Sequence, residues 1–361
     1  MTNKKTFRLL DMPPVTAAEN MALDEALLEA KSRGDAPDTV RFLRFSPPAV
    51  LVGFHQSVED EVRTDFCRAN GIQVNRRITG GGAILLDESQ IGWELVCDKR
   101  FFDFSLPGPK LFQRLCEPVV TALERLGVRA CFRPRNDIEV DGRKISGTGG
   151  TDSETAFLFH GSLLVDFDVE TMLRALRVPV EKLEAKEIES LRQRVTCLKW
   201  ELGETPSPDA IKQALASGFR EHFGIRLEPA GLTNLEKELY QQALGWFRSR
   251  AWIDPPRPVS RKAQPLHGAC RTDAGLVRFT LAADLPAKRI RQAYITGDFL
   301  SFPSRGLYDL EARLRGAPLD LDLLRGIVRS FFDEGRIRIV GMSSDEFMEP
   351  LKKALQAGPD T

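Results

Sequence analysis

A run of three consecutive glycines constrains this chain more than any other feature of its sequence. The run lies in the segment 76–87, which reads RRITGGGAILLD. Because glycine has no Cβ, the backbone can turn sharply here and can lie close to a ligand. Successive N–H groups in such a turn can converge on an anion, and arginine adds a planar fork that fits phosphate or carboxylate. The segment predicts an anion-binding turn, although a flexible turn beside two solvated arginines fits it equally well.

Two later segments carry further candidate residues. Residues 136–147 read NDIEVDGRKISG, and Asp141-Gly142 is a strong signal for a tight hairpin turn that brings Lys144 onto the returning strand. Residues 157–166 read FLFHGSLLVD and predict a strand that carries His160. Taken alone, Lys144 fits an exposed hairpin lysine and His160 fits a hydrogen-bonded core residue.

The three segments together resemble the lipoate–protein ligase A family, within the wider superfamily of biotin and lipoate protein ligases. That family carries an Arg-Arg-x-Ser-Gly-Gly-Gly-Ala-Val-Phe-His-Asp run, an Arg-Asn-Asp sequence before a Gly-x-Lys-x-Ser-Gly hairpin, and a His-Gly-Thr-Leu-Leu strand. All three occur here in the same order, and the resemblance extends from about Leu9 to about Leu198. In one departure, Leu85-Leu86-Asp87 replaces the family's Phe-His-Asp, so that a polar pocket feature becomes apolar.

The length and the element pattern indicate an α+β protein with two domains. A chain of 361 residues is too long for one ordinary core. Strand patterns that favour antiparallel pairing are mixed with helices, which favours α+β over a doubly wound fold. The resemblance implies a biotin/lipoate protein ligase-like catalytic domain over residues 1–250 and a small α+β accessory domain over residues 251–361. A proline-rich stretch at 254–258 predicts the linker.

Local signals predict two element boundaries in particular. Residues 58–69 predict one charged helix, which ends where Asn70-Gly71 offers a good C-cap. Ser343 and Glu346 have the spacing of a capping box and predict the start of the last helix.

Composition excludes several classes of protein. The chain has 51 Lys and Arg residues and 51 Asp and Glu residues, so its zero net charge predicts no general binding to nucleic acid or membranes. No apolar run approaches the ~20 residues that cross a bilayer, and the N-terminus lacks an apolar signal core, which predicts a cytoplasmic protein. Six scattered cysteines suit neither a zinc site nor a disulfide framework. A monomer is expected.

The resemblance implies an ATP-dependent, AMP-forming ligase. Such an enzyme activates lipoate or octanoate as an acyl-adenylate and then transfers the acyl group to a lysine of an acceptor domain. The site must bring two anions together, so it needs cations and N–H donors. The implied acceptor is the glycine cleavage H protein, the acyltransferase subunit of a 2-oxoacid dehydrogenase, or another lipoate-binding protein.

The resemblance also implies roles for individual residues. Lys144 would contact both the α-phosphate and the acyl carbonyl oxygen, and it is the candidate catalytic residue. Asp137 would help to hold Mg²⁺ with ATP, since hard cations prefer carboxylates, although a turn-capping role fits it equally well. The other implied ATP contacts are Arg77, Gly82, Ala83, Ile84 and Leu85. The implied lipoyl contacts are Arg77, Gly81, Gly82, Lys144 and His160.

A charged segment at 179–198 resembles the basic segment that lies beside the nucleotide site in this family. Part of it reads SLRQRVT over residues 190–196. An ordinary charged surface helix fits the same residues equally well. The segment is therefore a second candidate nucleotide contact.

Three other functions compete with the ligase. An octanoyltransferase of the same superfamily uses a cysteine nucleophile, takes acyl groups from acyl carrier protein and needs no ATP. Cys131 lies near the position where one transferase branch keeps its cysteine, although free cysteine is commonly buried. A non-catalytic protein that binds lipoate or lipoyl domains would keep the pocket and lose the cation, and the presence of Lys144 argues against it. Biotin ligation is disfavoured because the usual Gly-Arg-Gly-Arg turn is absent.

Overall fold

The computed structural model describes residues 4–102, 108–134, 136–177, 189, 191–257 and 263–357. The strands of the N-terminal part are β1 (Thr6–Asp11), β2 (Thr39–Leu43), β3 (Ala49–Val52), β4 (Gln73–Arg76), β5 (Ile84–Leu86), β6 (Ile91–Asp98), β7 (Cys131–Arg133), β8 (Asp137–Val140), β9 (Arg143–Asp152), β10 (Ala156–Leu163) and β11 (Arg226–Pro229). Its helices are α1 (Ala17–Ser32), α2 (Val58–Glu61), α3 (Thr64–Ala69), α4 (Gly108–Arg125), α5 (Val169–Ala175), α6 (Leu198–Leu202), α7 (Pro208–Phe223), α8 (Asn234–Phe247) and α9 (Arg250–Ile253).

Two sheets form the N-terminal part. The larger sheet has eight strands in the order β11-β1-β2-β6-β10-β9-β8-β7. Only the pairs that β1 makes with β11 and β2 are parallel, and the remaining neighbours are antiparallel. The smaller sheet has the order β4-β3-β5 and carries the glycine run in the loop between β4 and β5. This mixed, largely antiparallel arrangement with helices confirms the predicted α+β class.

Helices cover both faces of the larger sheet. On one face, α4 and α7 pack over a core that includes Trp93, Phe112 and Phe219. On the other face, α1 and α8 pack over a second core that includes Met21 and Phe247. Burial of each such large apolar side chain contributes about 1.5–3 kcal/mol, so these two cores fix the sheet that carries the site.

A buried charge network attaches α1 to the sheet. The Arg41 guanidinium donates hydrogen bonds to Asp24 Oδ1 at 2.7 Å, to Glu94 Oε2 at 3.0 Å and to Asn20 Oδ1 at 2.6 Å. All four side chains are almost completely buried. Burial raises the pKa of both carboxyl groups, and one arginine cannot neutralise two carboxylates. The network fixes the helix that carries Met21, a residue of the site described below.

The hairpin between β8 and β9 forms as predicted. Asp141 and Gly142 have φ values of 48° and 78°, the positive values that a tight two-residue hairpin turn needs. Lys144 lies on the returning strand and pairs with Glu139 across the hairpin. The Asp-Gly pair therefore determines which strand carries the lysine.

The prediction of one helix over 58–69 is wrong. The chain forms the short helices α2 and α3, and between them Val62 has extended backbone with φ −127° and ψ 134°. Val62 makes an isolated β-bridge to Leu176 and is almost completely buried. Tertiary burial of Val62 thus overrides the local helical pattern.

The C-terminal part has a core of its own. Its strands are β12 (Gln264–Thr272), β13 (Gly275–Asp284), β14 (Arg289–Gly297), β15 (Ser301–Phe302) and β16 (Arg338–Ile339), and its helices are α10 (Gly306–Leu314), α11 (Leu321–Asp333) and α12 (Ser344–Ala357). Strands β12–β14 form an antiparallel sheet, and β15 pairs with β16. The predicted Ser343–Glu346 capping box is confirmed.

The two parts of the chain touch closely. Leu300, Phe302 and Val340 of the C-terminal part pack into the core under α4 and α7. Trp252, in α9, packs against the core under α1 and α8. The division at residue 250 stays a prediction. Among the described helices, none is both long enough and apolar enough to cross a bilayer.

Candidate active site

The glycine turn is held in shape by the buried guanidinium of Arg77. Gly81 has φ 94°, a conformation that side chains other than hydrogen strongly disfavour. Arg77 donates to the carbonyl oxygens of Leu51 at 2.8 Å, Gly80 at 3.1 Å and Gly82 at 2.9 Å. Burial lowers the pKa of Arg77 to about 10. The positive charge therefore lies against the turn that the sequence predicted to bind an anion.

The neighbouring Arg76 has a different role. Its guanidinium donates to five backbone carbonyl oxygens at 2.6–3.1 Å, those of Gly53, Phe54, Gln56, Trp252 and Ile253. No carboxylate accepts from it among these bonds. Arg76 thus joins the strand end at residue 53 to α9, and it is a structural residue.

Lys144 and Asp137 form an ion pair at the edge of the turn. Lys144 Nζ lies 2.7 Å from Asp137 Oδ1, and the lysine side chain is 37% exposed. The lysine lies across Gly147, where an added Cβ would be 2.6 Å from Nζ. An ammonium with this exposure can leave the carboxylate for a ligand, because an ion pair that is partly exposed to solvent contributes only a small stabilising free energy.

A cavity of about 100 Å³ joins these groups. Its polar half is lined by Arg77, Gly80, Gly81, Gly82, Asn136, Lys144, Thr148 and His160. Its apolar half is lined by Met21, Leu43, Phe45, Leu51, Ile84 and Leu86. A cavity with a cation at one end and aliphatic walls at the other fits a carboxylic acid with an apolar tail.

His160 is a wall residue of this cavity. Its Nε2 lies 2.9 Å from Thr79 Oγ1. Burial, with smaller contributions from the charges of Arg77 and Arg41, lowers the pKa of His160 to about 3. The imidazole is therefore neutral near neutral pH, and the lipoyl contact that the resemblance implies for it stays a prediction.

The structure brings most of the predicted site residues together. Arg77, Gly81, Gly82, Ile84, Lys144 and His160 line one cavity. The side chains of Ala83 and Leu85 instead pack with a separate cluster that includes Val50 and Val52. Ala83 and Leu85 could therefore contact a nucleotide in the cavity only through their backbone atoms. Asn136 and Thr148 line the cavity too, and the Asn-Asp sequence before the hairpin was the signal for Asn136.

The predicted metal contact, Asp137, is paired with Lys144. In the described part of the chain, no group of three or more His, Cys, Asp or Glu residues that could hold a metal ion occurs. Mg²⁺ stays a prediction, and no step below depends on it. Most of the predicted nucleotide segment 179–198, namely residues 179–188 and 190, lies outside the described residues.

The accessory part contacts the glycine turn directly. The Gly81 N–H donates to the Phe299 carbonyl oxygen at 3.1 Å. The Phe299 ring stacks on His55 with 5.3 Å between centroids, and the Gly297 N–H donates to the His55 carbonyl oxygen at 3.1 Å. Sequence reasoning did not find this contact.

A larger cavity lies elsewhere between the two parts of the chain. It measures about 670 Å³ and is lined by Phe54, Trp246, Trp252 and Tyr308, among others. It contains neither Lys144 nor the glycine turn. Size alone therefore does not identify the site. The smaller cavity is the one that the predicted site residues line.

We expect Gly53→Ala to lower activity by about 100-fold, because positioning errors of about 1 Å can have this effect. An added Cβ at this position would lie 1.9 Å from the Gly81 carbonyl oxygen, so the turn must move. Gly245→Ala is the control, since a Cβ there meets nothing within 4 Å. Acyl transfer to an acceptor domain measures both. Equal activity of the two variants would contradict a role for the turn geometry.

Comparison with known proteins identifies the class of protein that this fold and cavity define. The family model of the lipoyl protein ligase A/B catalytic domain matches residues 16–220. The chain belongs to this family, whose members include lipoate–protein ligases and octanoyltransferases.

Two curated relatives represent the two activities. The octanoyltransferase LipM of Kyrpidia tusciae is 30% identical over 270 residues, which are 69% of this chain and 98% of the relative. The lipoate–protein ligase 1 of Staphylococcus aureus is 28% identical over 309 residues, which are 84% of this chain and 87% of the relative. Among solved structures, a lipoate–protein ligase A bound with ATP is 27% identical with a TM-score of 0.60, and the match covers 69% of this chain and 99% of that one.

Proposed function

We propose that this protein is an ATP-dependent lipoate–protein ligase. The acyl carboxylate attacks the α-phosphorus of ATP, pyrophosphate leaves, and an acyl-adenylate forms. A deprotonated lysine of an acceptor lipoyl domain then attacks the acyl carbonyl carbon, and AMP leaves as the amide forms. Lipoate and octanoate are the proposed acyl substrates. The acceptor is the H protein of glycine cleavage, an acyltransferase subunit, or another lipoate-binding protein.

The cation beside the glycine turn supports this proposal most directly. Lys144 lies where a carboxylate and an α-phosphate would meet, at the polar end of a cavity with aliphatic walls. An ammonium there offsets the charge that develops on the phosphoryl oxygens in the first step and on the acyl oxygen in the second. Arg77 beneath the turn adds a second fixed positive charge. Lys144 is the catalytic residue of this mechanism.

The positions of the cysteines support the ligase over the transferase. All six cysteines belong to the described part of the chain, and none lines the cavity that contains Lys144. Cys131 is exposed on β7, opposite Glu139, which is in turn opposite Lys144. Two strand spacings separate the backbones of Cys131 and Lys144 by about 10 Å. A nucleophilic Cys131 would have to bridge this separation to reach an acyl group bound beside Lys144.

The extents of the two matches support the same choice. The match to the octanoyltransferase covers 98% of that relative but only 69% of this chain. The match to the ligase covers 84% of this chain. The match to the ligase therefore accounts for more of this chain than the match to the octanoyltransferase does.

An octanoyltransferase is the second candidate, and a specific observation favours it. Several of the relatives, including the one that is 30% identical, are octanoyltransferases rather than ligases. In this mechanism, a cysteine thiolate would attack an acyl thioester on a carrier protein, the carrier thiol would leave, and the acceptor lysine would take the acyl group from the cysteine. Cys131 is the exposed cysteine that could serve as the nucleophile.

A two-donor experiment decides between the candidates. An acceptor lipoyl domain is incubated with the protein and either octanoate plus ATP or octanoyl acyl carrier protein, and its mass is measured. We expect acylation only with octanoate plus ATP, with release of pyrophosphate, and equal activity of Cys131→Ser and the wild type. Transfer from the carrier protein that Cys131→Ser abolishes, with no response to ATP, would reject the ligase.

A further inference from the structure

We infer that Leu43 and Gly92 form the closed end of the acyl site and set the length of the acyl chain that the protein accepts. This inference rests on the proposed function, since it concerns the same cavity and an acyl substrate. It assigns the specificity of that cavity to two residues outside the three sequence segments discussed above.

One row of residues crosses the larger sheet under the cavity. Each residue of the row is directly opposite the next one on the neighbouring strand. The order across β2, β6, β10, β9 and β8 is Leu43, Gly92, Ser162, Gly147 and Asp137. Directly opposed residues of antiparallel strands lie on the same face of a sheet. The first four of these residues line the cavity. The row thus forms the floor of a trough that runs perpendicular to the strands.

The two ends of the trough differ in chemistry. The Lys144 ammonium lies over Gly147, where an added Cβ would be 2.6 Å from Nζ. At the other end, the Leu43 side chain lies directly on Gly92, where an added Cβ would be 2.7 Å from Leu43 Cγ. A carboxylate therefore binds at the Gly147 end, and an apolar tail extends toward Leu43.

The distance between the two ends limits the length of the acyl chain. Neighbouring strands lie about 4.8 Å apart, so Gly147 and Gly92 are separated by about 10 Å. An extended eight-carbon chain, with C–C bonds of about 1.5 Å in a zigzag, is about 9 Å long. Because the Leu43 side chain already covers Gly92, such a chain meets Leu43 before its terminal carbon reaches Gly92. Longer chains have no room unless Leu43 moves.

The surrounding walls explain why the tail must be apolar. Met21, Phe45, Leu51 and Leu86 line the same cavity, and all four side chains lack hydrogen-bonding groups apart from the weak Met21 sulfur. A polar group on the tail would lose water here without gaining a partner. Leu86, which replaces the family's histidine, completes this apolar wall.

A chain-length series from hexanoate to dodecanoate tests the inference in two ways. Acceptor mass gives kcat/KM for each acid with ATP, and calorimetry gives binding of each acid without ATP. Leu43→Ala should raise the preference for decanoate over octanoate by about tenfold, since a hydrophobic pocket discriminates about this strongly when space for extra methylene groups appears. Gly92→Ala should displace Leu43 into the trough and shift the preference toward hexanoate.

Leu10→Ala is the matched control, because Leu10 belongs to the same hydrophobic core as Leu43 but does not line the cavity. We expect it to lower thermal stability as Leu43→Ala does and to leave the chain-length preference unchanged. Unchanged preference in Leu43→Ala, in binding and in transfer, would overturn the inference. A shift in binding preference with no ATP-dependent transfer by the wild type would support the inference and reject the proposed function instead.

Discussion

Lys144→Ala should reduce ATP-dependent acylation of an acceptor domain by about 1,000-fold. The reason is electrostatic, because loss of one preorganised donor at a developing oxyanion typically has an effect of 100- to 1,000-fold. In the proposed mechanism the same ammonium serves two steps, the attack on the α-phosphorus and the attack on the acyl carbon. Its loss also leaves Asp137 at the edge of the cavity without its 2.7 Å partner, which repels incoming phosphate.

Lys199→Ala provides a close control for this substitution. Lys199 Nζ also pairs with an aspartate, Asp166 Oδ2, at 2.7 Å, and its side chain is 49% exposed. It does not line the cavity. Release of pyrophosphate and acceptor mass should be unchanged in this variant. Similar losses in both lysine variants, or full activity of Lys144→Ala, would show that the assigned role of Lys144 is wrong.

Arg41→Met should have the largest effect on stability and lower the free energy of unfolding by about 3–5 kcal/mol. The substitution leaves Asp24 and Glu94 buried without their shared cation, and isolated buried charges are costly. Methionine retains most of the volume, so the effect comes from charge rather than from a cavity. Urea unfolding followed by circular dichroism measures it.

Arg33→Ala is the comparison for Arg41→Met. Arg33 Nε lies 2.8 Å from Glu29 Oε1, but both side chains are about half exposed. Such pairs on a helix surface contribute about 0.3–0.5 kcal/mol. If Arg41→Met unfolded at the same urea concentration as Arg33→Ala, the network would not stabilise the packing of α1 on the sheet.

The parts of the structure that were predicted correctly depend on local chemistry. Asp141-Gly142 has few alternatives to a tight turn, so the sequence alone indicates the strand that carries Lys144. The three glycines at 80–82 likewise indicate a turn that lies close to a ligand or to another segment of the backbone. These signals require no knowledge of distant residues.

The parts that were missed depend on residues far apart in the chain. Val62 ends a helical segment because it pairs with Leu176, and nothing near Val62 signals this. Arg76 looks like half of an anion-binding pair, but carbonyl groups of α9 and of the strand end at residue 53 surround it. The contact between Gly81 and Phe299 joins two segments that are far apart in the sequence, so no local pattern could predict it.

The central claim is that the glycine turn and Lys144 together hold two negative groups while they join. A crystal structure with a non-hydrolysable octanoyl-adenylate analogue tests this claim most directly. We predict that Lys144 Nζ leaves Asp137 and lies about 3 Å from both the acyl oxygen and the phosphate analogue, with the tail directed toward Leu43. An analogue bound away from the turn, with the Lys144–Asp137 pair intact, would contradict the mechanism.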